Sequence, residues 1–253
     1  MPEPVLSARH LSHAFTTVDG QVVETLHDVS LALHRGTFTC LVGPSGSGKT
    51  TLLRLLAGLA RPMQGEVYLD GAPLKRPQRR ISLVFQRDNL MPWRTVYRNI
   101  ALPLQLAGVN QKHQRGRIEA LITLTGLAGF EEAFPAELSG GMAQRVAIAR
   151  GLVTNPDILL LDEPFGALDA MTREQLWGEL LAIWENTQAA VLMVTHDIRE
   201  AVFLSDQVLV MSQRPGRLIA DIDVPFSRPR SLGLLADHAF INREANVRTA
   251  LQR

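Results

Sequence analysis

The chain has 253 residues, enough for one large domain or for a domain with a sizeable inserted subdomain. Hydrophobic residues make up 46% of the sequence and charged residues 20%, a balance that excludes a disordered chain. The formal net charge is +1, so we expect no strong overall attraction to nucleic acid or to anionic lipid.

The single cysteine, Cys40, excludes an internal disulfide and fits a reducing compartment. It lies in an apolar run over residues 37–42, which predicts a buried structural thiol. No apolar stretch approaches the roughly 18–20 residues that span a bilayer. The first ten residues also lack the pattern of a signal peptide. If the protein acts at a membrane, we therefore expect a partner to hold it there.

In chain order, short apolar runs alternate with longer helical patterns, which predicts an α/β fold with a mainly parallel sheet. In the first forty residues, apolar and polar residues alternate, which predicts an antiparallel sheet beside this core. The run over residues 37–42 lies between Gly36 and Gly43 and predicts a buried strand. Residues 51–59 are apolar at helical spacing and predict the next helix.

The middle of the chain, residues 88–155, is rich in helix formers and has few strand-like runs, which predicts an inserted helical subdomain. Further strands are predicted at residues 158–161, 190–194, 208–211 and 216–220. The sequence thus predicts an α/β core over residues 1–87 and 156–227, the helical subdomain over 88–155, and a helical tail over 228–253.

The first chemical motif is a glycine-rich loop between the predicted strand and helix. Its residues, with the one that follows, are Gly43, Pro44, Ser45, Gly46, Ser47, Gly48, Lys49, Thr50 and Thr51. They fit the pattern G-x-x-x-x-G-K-[ST], in which backbone N–H groups and a helix N-terminus surround phosphate oxygens. Lys49 would place a positive charge on the β- and γ-phosphates, and the Thr50 hydroxyl would bind Mg²⁺. The motif predicts ATP binding.

The second motif is an Asp-Glu pair at the end of the predicted strand over residues 158–161. Adjacent residues point to opposite sides of a strand, so the two acids are free to take different roles. Asp162 would hold Mg²⁺ and Glu163 would polarise the attacking water. The alternative is an acidic pair at a helix N-terminus, since Pro164 follows.

The third motif is Leu138-Ser139-Gly140-Gly141-Met142, which begins a helical run and forms a second anion-binding helix terminus. This motif lies between the glycine-rich loop and the Asp-Glu pair in the chain, and with the three motifs so placed the sequence resembles the nucleotide-binding domain of ABC transporters. LSGGM resembles the signature motif of that superfamily, with Met142 at the usual Gln.

The resemblance assigns four further positions. Gln86 matches the Q-loop glutamine, which senses Mg²⁺ and the permease; a glutamine at the edge of the core is the alternative. Asp169, in Ala167-Leu168-Asp169, matches the D-loop between two subunits. His196 matches the switch histidine at the γ-phosphate, although a histidine after a strand is often only a hydrogen-bonding residue. Phe15 falls where the family stacks an aromatic ring on adenine, and a core Phe is its alternative.

The resemblance also implies a mechanism. Two copies would enclose two ATP molecules, with Ser139, Gly140 and Gly141 of one copy facing the nucleotide of the other. Lys49, Gln86, Glu163 and His196 would be catalytic, and Thr50, Gln86 and Asp162 would bind Mg²⁺.

Segments 89–100, 163–169, 200–206 and 212–217 resemble the importers of nitrate, sulfonates and taurine. This resemblance implies two partners: an integral membrane permease, and a periplasmic or lipid-anchored solute-binding protein that acts through the permease. It also implies a location on the cytoplasmic side of the bacterial inner membrane and no nucleic-acid partner. Met91 and Trp93 would form a permease contact, unless Trp93 packs internally.

The alternative function is a soluble ABC ATPase outside transport, such as an iron–sulfur cluster assembly ATPase. The sequence contains no long heptad repeats and only one cassette, which excludes the DNA-repair and translation-factor types. Residues 91–93 and 214–217 favour the importer group over the iron–sulfur type.

Overall fold

The computed structural model describes residues 3–17, 19–109, 111–166 and 168–252, without the side chains of residues 111–113. Its main sheet has six strands, in the spatial order β10-β9-β3-β8-β7-β6. The strands are β3 (Phe38–Val42), β6 (Ile81–Val84), β7 (Ile158–Asp162), β8 (Ala190–Thr195), β9 (Gln207–Met211) and β10 (Leu218–Asp223). All pairs are parallel except β9 with β10. The mainly parallel α/β fold is therefore confirmed.

A second sheet of four antiparallel strands lies beside the first, in the order β2-β1-β4-β5. Its strands are β1 (Leu6–Thr16), β2 (Val22–Leu33), β4 (Gln64–Leu69) and β5 (Ala72–Pro73). The first forty residues predict an antiparallel sheet, but the sequence pattern does not predict β4 and β5. Half of β4 is exposed and β5 has two residues, so neither carries a clear hydrophobic pattern.

Seven α-helices complete the described fold. They are α1 (Lys49–Leu56), α2 (Val96–Leu106), α3 (Gln111–Leu124), α4 (Gly140–Leu152), α5 (Ala170–Glu185), α6 (Ile198–Leu204) and α7 (His238–Leu251). The tail contains α7 and a short 3₁₀ turn (Leu232–Ala236). None of the described helices is long and apolar enough to cross a membrane.

Two hydrophobic cores lie on opposite faces of the main sheet. Side chains alternate along β3, so Leu41 joins one core while Cys40 and Val42 join the other. The core around Leu41 holds α1 between the two sheets, and the other core holds α2–α7. Cys40 is buried, as predicted, and burial raises the pKa of its thiol.

Two predicted elements have ends that differ from the structure by two residues or more. The helix predicted over residues 51–59 spans Lys49–Leu56, because the glycine-rich loop starts it and Gly58, with φ +70°, follows its end. The strand predicted to begin at Gly216 begins at Leu218. Gly216 instead forms an isolated bridge with Leu26 of β2. The boundaries of the helical subdomain, at residues 88 and 155, stay a prediction.

Candidate functional site

The glycine-rich loop joins β3 to α1 at the carboxyl end of the main sheet. Gly46 and Gly48 have φ values of +76° and +99°, which favour glycine. A Cβ on Gly48 would lie 2.9 Å from the carbonyl oxygen of Thr25. The loop can therefore close tightly only with glycine at this position.

Lys49 lies inside this loop. Its Nζ donates to the carbonyl oxygens of Gly43, at 2.8 Å, and Pro44, at 2.9 Å. The side chain is buried, and desolvation lowers its pKa, opposed by the nearby charges of Glu163 and Asp162. A buried ammonium held by two carbonyls is well placed to bind a phosphate oxygen.

Asp162 ends β7 and faces the start of α1. The Thr50 hydroxyl donates to its Oδ1 at 3.2 Å. Burial raises the pKa of this carboxyl, opposed by the hydrogen bond from Thr50. The two oxygens suit Mg²⁺, which usually takes one or two protein ligands together with phosphate oxygens and water. The residues present therefore fit this ion.

Glu163 points elsewhere, but strand alternation is not the reason, because β7 ends at Asp162. Its φ of +44° turns the chain just beyond β7. Its Oε2 accepts a hydrogen bond from Gln86 Nε2 at 3.1 Å and lies 3.2 Å from His196 Nδ1. Residues 164–166 form a turn rather than a helix, so the alternative of a helix N-terminal acidic pair does not apply.

Four of these side chains, those of Lys49, Thr50, Gln86 and Glu163, line an open cleft of about 510 Å³, while Asp162 and His196 lie outside its lining. Its lining contains nine predicted site residues: Phe15, Ser45, Gly46, Gly48, Lys49, Thr50, Thr51, Gln86 and Glu163. Phe15 is 47% exposed, which excludes the alternative that it belongs to the core. Its ring packs edge-on against His13 and presents an apolar surface at the rim of the cleft.

The remaining predicted residues lie outside this lining. Gly43 and Pro44 contribute their carbonyls to Lys49, and Ser47 is buried. Gly140 and Gly141 begin α4, and Ser139 caps the helix, because its hydroxyl accepts the N–H of Met142 at 3.3 Å. Asp169 is exposed and caps α5 by accepting the N–H of Thr172 at 3.0 Å. Ala167 lies outside the described residues.

Four residues of the lining were not predicted as site residues: Thr17, Val23, Thr25 and Arg214. Val23 pairs with Phe15 across β1 and β2, so the pairing of the two strands could have indicated it. Arg214 follows β9, and nothing in the sequence connects it with the glycine-rich loop. It was recognised only as part of a segment typical of one importer group.

The comparisons with known proteins identify this arrangement. The family model described as ABC transporter matches residues 26–166, more than half of the chain. The chain belongs to the ABC transporter family. The matched range includes the glycine-rich loop, Gln86, Ser139 and the Asp-Glu pair. As a member of this family, the chain is an ATPase.

Two curated relatives match most of the chain. A taurine import ATP-binding protein of Rhizobium johnstonii is 48% identical over 224 residues, 88% of this chain and 86% of the relative. A nitrate import ATP-binding protein of Synechococcus elongatus is 46% identical over 219 residues, 85% of this chain and 80% of the relative. The predicted resemblance to this importer group is confirmed.

A solved structure supports the fold. The dimeric ATP-binding cassette MJ0796, in a post-hydrolysis state bound to ADP and phosphate, has a TM-score of 0.77 and 31% identity. The match covers 88% of this chain and all of that chain.

Proposed function

We propose that this ABC ATPase drives an importer of a small solute, such as nitrate, a sulfonate or taurine, through a separate membrane permease. The convergence of Gln86 and His196 on Glu163, beside the phosphate loop, carries the catalytic part of the proposal. The relatives for taurine and nitrate support the transport part.

In the proposed mechanism, the loop and Lys49 bind the phosphates of ATP. Thr50, Asp162 and Gln86 would hold Mg²⁺, which neutralises charge on the β- and γ-phosphates when it is bound. Glu163 accepts a proton from the water that attacks the γ-phosphorus. His196, with its ring beside Glu163, contacts the γ-phosphate and fixes the position of the carboxylate.

A second copy of the chain completes the site. The cleft that Lys49 lines is open and contains neither Ser139 nor Gly141, so in this proposal a second chain must cover the γ-phosphate. In the proposed homodimer, the N-terminus of α4 from one copy closes the cleft of the other, and Asp169 lies at the interface. The dimeric cassette MJ0796 supports this arrangement. Hydrolysis then requires two chains.

The permease would dock beside Gln86. Trp93 is 70% exposed, which excludes its internal packing and leaves a large apolar side chain free for a partner. Binding there would place the ATPase at the cytoplasmic side of the bacterial inner membrane, with a solute-binding protein acting through the permease. The alternative, a soluble iron–sulfur assembly ATPase, is not favoured because the relatives described above are importer subunits.

Replacing Glu163 with Gln tests the catalytic assignment. We expect kcat for ATP hydrolysis to fall about 10²- to 10⁴-fold, since the general base is lost. ATP binding should persist, so an ATP-bound dimer should accumulate and be visible by size-exclusion chromatography. Glu119→Gln, which removes a carboxylate from a surface ion pair on α3, is the control. A Glu163→Gln protein with wild-type kcat would exclude Glu163 as the base.

Purification of the tagged chain from its native membranes in mild detergent tests the transport role. We expect a multi-span membrane protein to be recovered with it, and the genes beside that permease would indicate the solute. Recovery of soluble iron–sulfur assembly proteins alone would contradict the importer proposal and leave only the ATPase.

A further inference from the structure

The loop between β9 and β10 lies against the phosphate loop, although the proposed mechanism does not use it. Within it, the N–H of Gly216 donates to the Thr25 carbonyl at 2.9 Å, and the Gly216 carbonyl accepts the N–H of His27 at 3.0 Å. A Cβ at residue 216 would lie 2.1 Å from the carbonyl oxygen of Ser47. Only glycine permits this approach, so the segment over residues 212–217 is held at the edge of the nucleotide cleft.

Arg214 extends from this segment onto the phosphate loop. Its Nε donates to the Gly46 carbonyl at 3.2 Å, and its Nη2 lies 3.6 Å from where a Cβ on Gly46 would be. Arg214 also lines the cleft together with Phe15 and Lys49. The guanidinium therefore lies at the rim of the cleft, whereas the ammonium of Lys49 lies inside the loop.

The guanidinium has capacity to bind an anion. Its hydrogen bond to Gly46 uses one of five N–H donors, and within the described part of the chain it makes no other. The one carboxylate among the residues lining the cleft is Glu163, which already contacts Gln86 and His196. A planar fork of donors beside a phosphate-binding loop matches phosphate oxygens in geometry and charge.

We propose that Arg214 is a second cation of the nucleotide site and binds the phosphate chain of ATP and ADP. This rests on the proposed role of the loop around Lys49 as the phosphate-binding element. Arg214 acts from the exposed rim, where salt screens charge interactions, so its contribution is moderate and depends on ionic strength.

The test measures binding of a fluorescent ADP analogue, with Mg²⁺, to three variants of the full chain. Arg214→Gln should raise Kd about five- to tenfold in about 50 mM salt, and the difference should shrink to about twofold or less in about 500 mM salt. Arg214→Lys should restore part of the affinity, because it keeps the charge but loses the planar fork of donors. Arg217→Gln is the matched control, since it removes the same charge from the same loop outside the cleft lining and should leave Kd unchanged.

Two results would overturn the proposal. Equal affinities of the Arg214→Gln and Arg217→Gln proteins would show that Arg214 does not bind the nucleotide. A weakening that is the same at both salt concentrations, and that Arg214→Lys does not reverse, would assign Arg214 only to holding the Gly46 carbonyl. Lys49→Ala separates this question from the proposed function, because unchanged ADP affinity in that variant would contradict the phosphate-loop assignment itself.

Discussion

Glu200 lies in α6, four residues after the proposed switch histidine, and its side chain is buried. Its Oε1 accepts the indole N–H of Trp177 at 3.0 Å, and its Oε2 accepts the hydroxyl of Thr195. Burial raises the pKa of this carboxyl to about 7, opposed by these two hydrogen bonds. The Thr195 hydroxyl also accepts the N–H of Asp197. Glu200 therefore supports the turn that presents His196.

The raised pKa of Glu200 predicts a pH-dependent stability. Between its ordinary pKa of 4.5 and about 7, the folded protein binds more protons than the unfolded chain, so the free energy of unfolding falls as pH rises. Above about pH 7 the carboxylate of Glu200 is ionised in the folded protein, and its burial lowers the free energy of unfolding by about 3 kcal/mol. Glu200→Gln removes the charge and keeps an acceptor for Trp177. We expect this variant to be more stable than the wild type at pH 8 and similar at pH 5.

Urea unfolding at both pH values measures this difference. A gap between the Glu200→Gln protein and the wild type that is the same at pH 5 and pH 8 would contradict the titration of Glu200 over this range.

At the scale of elements, the packing of α4 against β6 connects two motifs of the site. α4 begins at the proposed signature motif, and β6 ends at Val84, two residues before Gln86. Near the end of α4, a Cβ on Gly151 would lie 2.8 Å from Val84 Cγ2 and 3.2 Å from Ser82 Oγ. This close approach needs glycine, because the backbone of α4 at Gly151 packs directly against the side chains of β6.

Two glycine-to-alanine substitutions separate this packing role from helix propensity. Gly178 is exposed in α5, and a Cβ there would meet nothing within 4 Å. Gly178→Ala should therefore raise the free energy of unfolding by about 0.5–1 kcal/mol. Gly151→Ala gains the same propensity but crowds β6, so we expect a loss of about 1–3 kcal/mol. Urea unfolding of both variants checks the contrast, and equal shifts would exclude a packing role for Gly151.

At the scale of the whole molecule, the proposed function needs two surfaces that face other chains. One is the mouth of the nucleotide cleft, which a second copy would close with Ser139 and Gly141. The other is the proposed permease contact at the exposed side chain of Trp93. Because Gln86 contacts Glu163 and lies a few residues before Trp93, the proposed docking would be linked to the proposed hydrolysis site through a short segment.

Replacing Trp93 with Ala tests the second surface. The exposed indole contributes little to the fold, so the free energy of unfolding should change little. The ATPase activity of the isolated protein should change less than twofold. Recovery of the permease with the tagged protein should fall severalfold, because a central aromatic contact is lost. Met63→Ala, which removes another exposed apolar side chain at 66% exposure, is the control. Unchanged recovery with Trp93→Ala would exclude Trp93 from the permease contact.

The sequence by itself determined the features whose chemistry lies in consecutive residues. The proposed phosphate loop is one such feature, because its glycines, Lys49 and Thr50 lie in one stretch of backbone and the start of the helix that follows. The Asp-Glu pair is another, since two adjacent acids follow one apolar run. The sequence did not predict that β7 ends at Asp162 and that a turn, with φ +44° at Glu163, separates the two side chains. The α/β class followed from the same local periodicity of strands and helices.

Only the tertiary structure decided which distant side chains meet. Gln86 and Glu163 are 77 residues apart, and Arg214 and Gly46 are 168 apart. β6, β7 and β8 are parallel neighbours, so their carboxyl ends bring Gln86, Glu163 and His196 to one edge of the sheet. Arg214 reaches the cleft because β9 lies beside β3, a pairing that the sequence does not reveal. Strand order depends on packing of the whole chain, which is why local pattern could not determine these contacts.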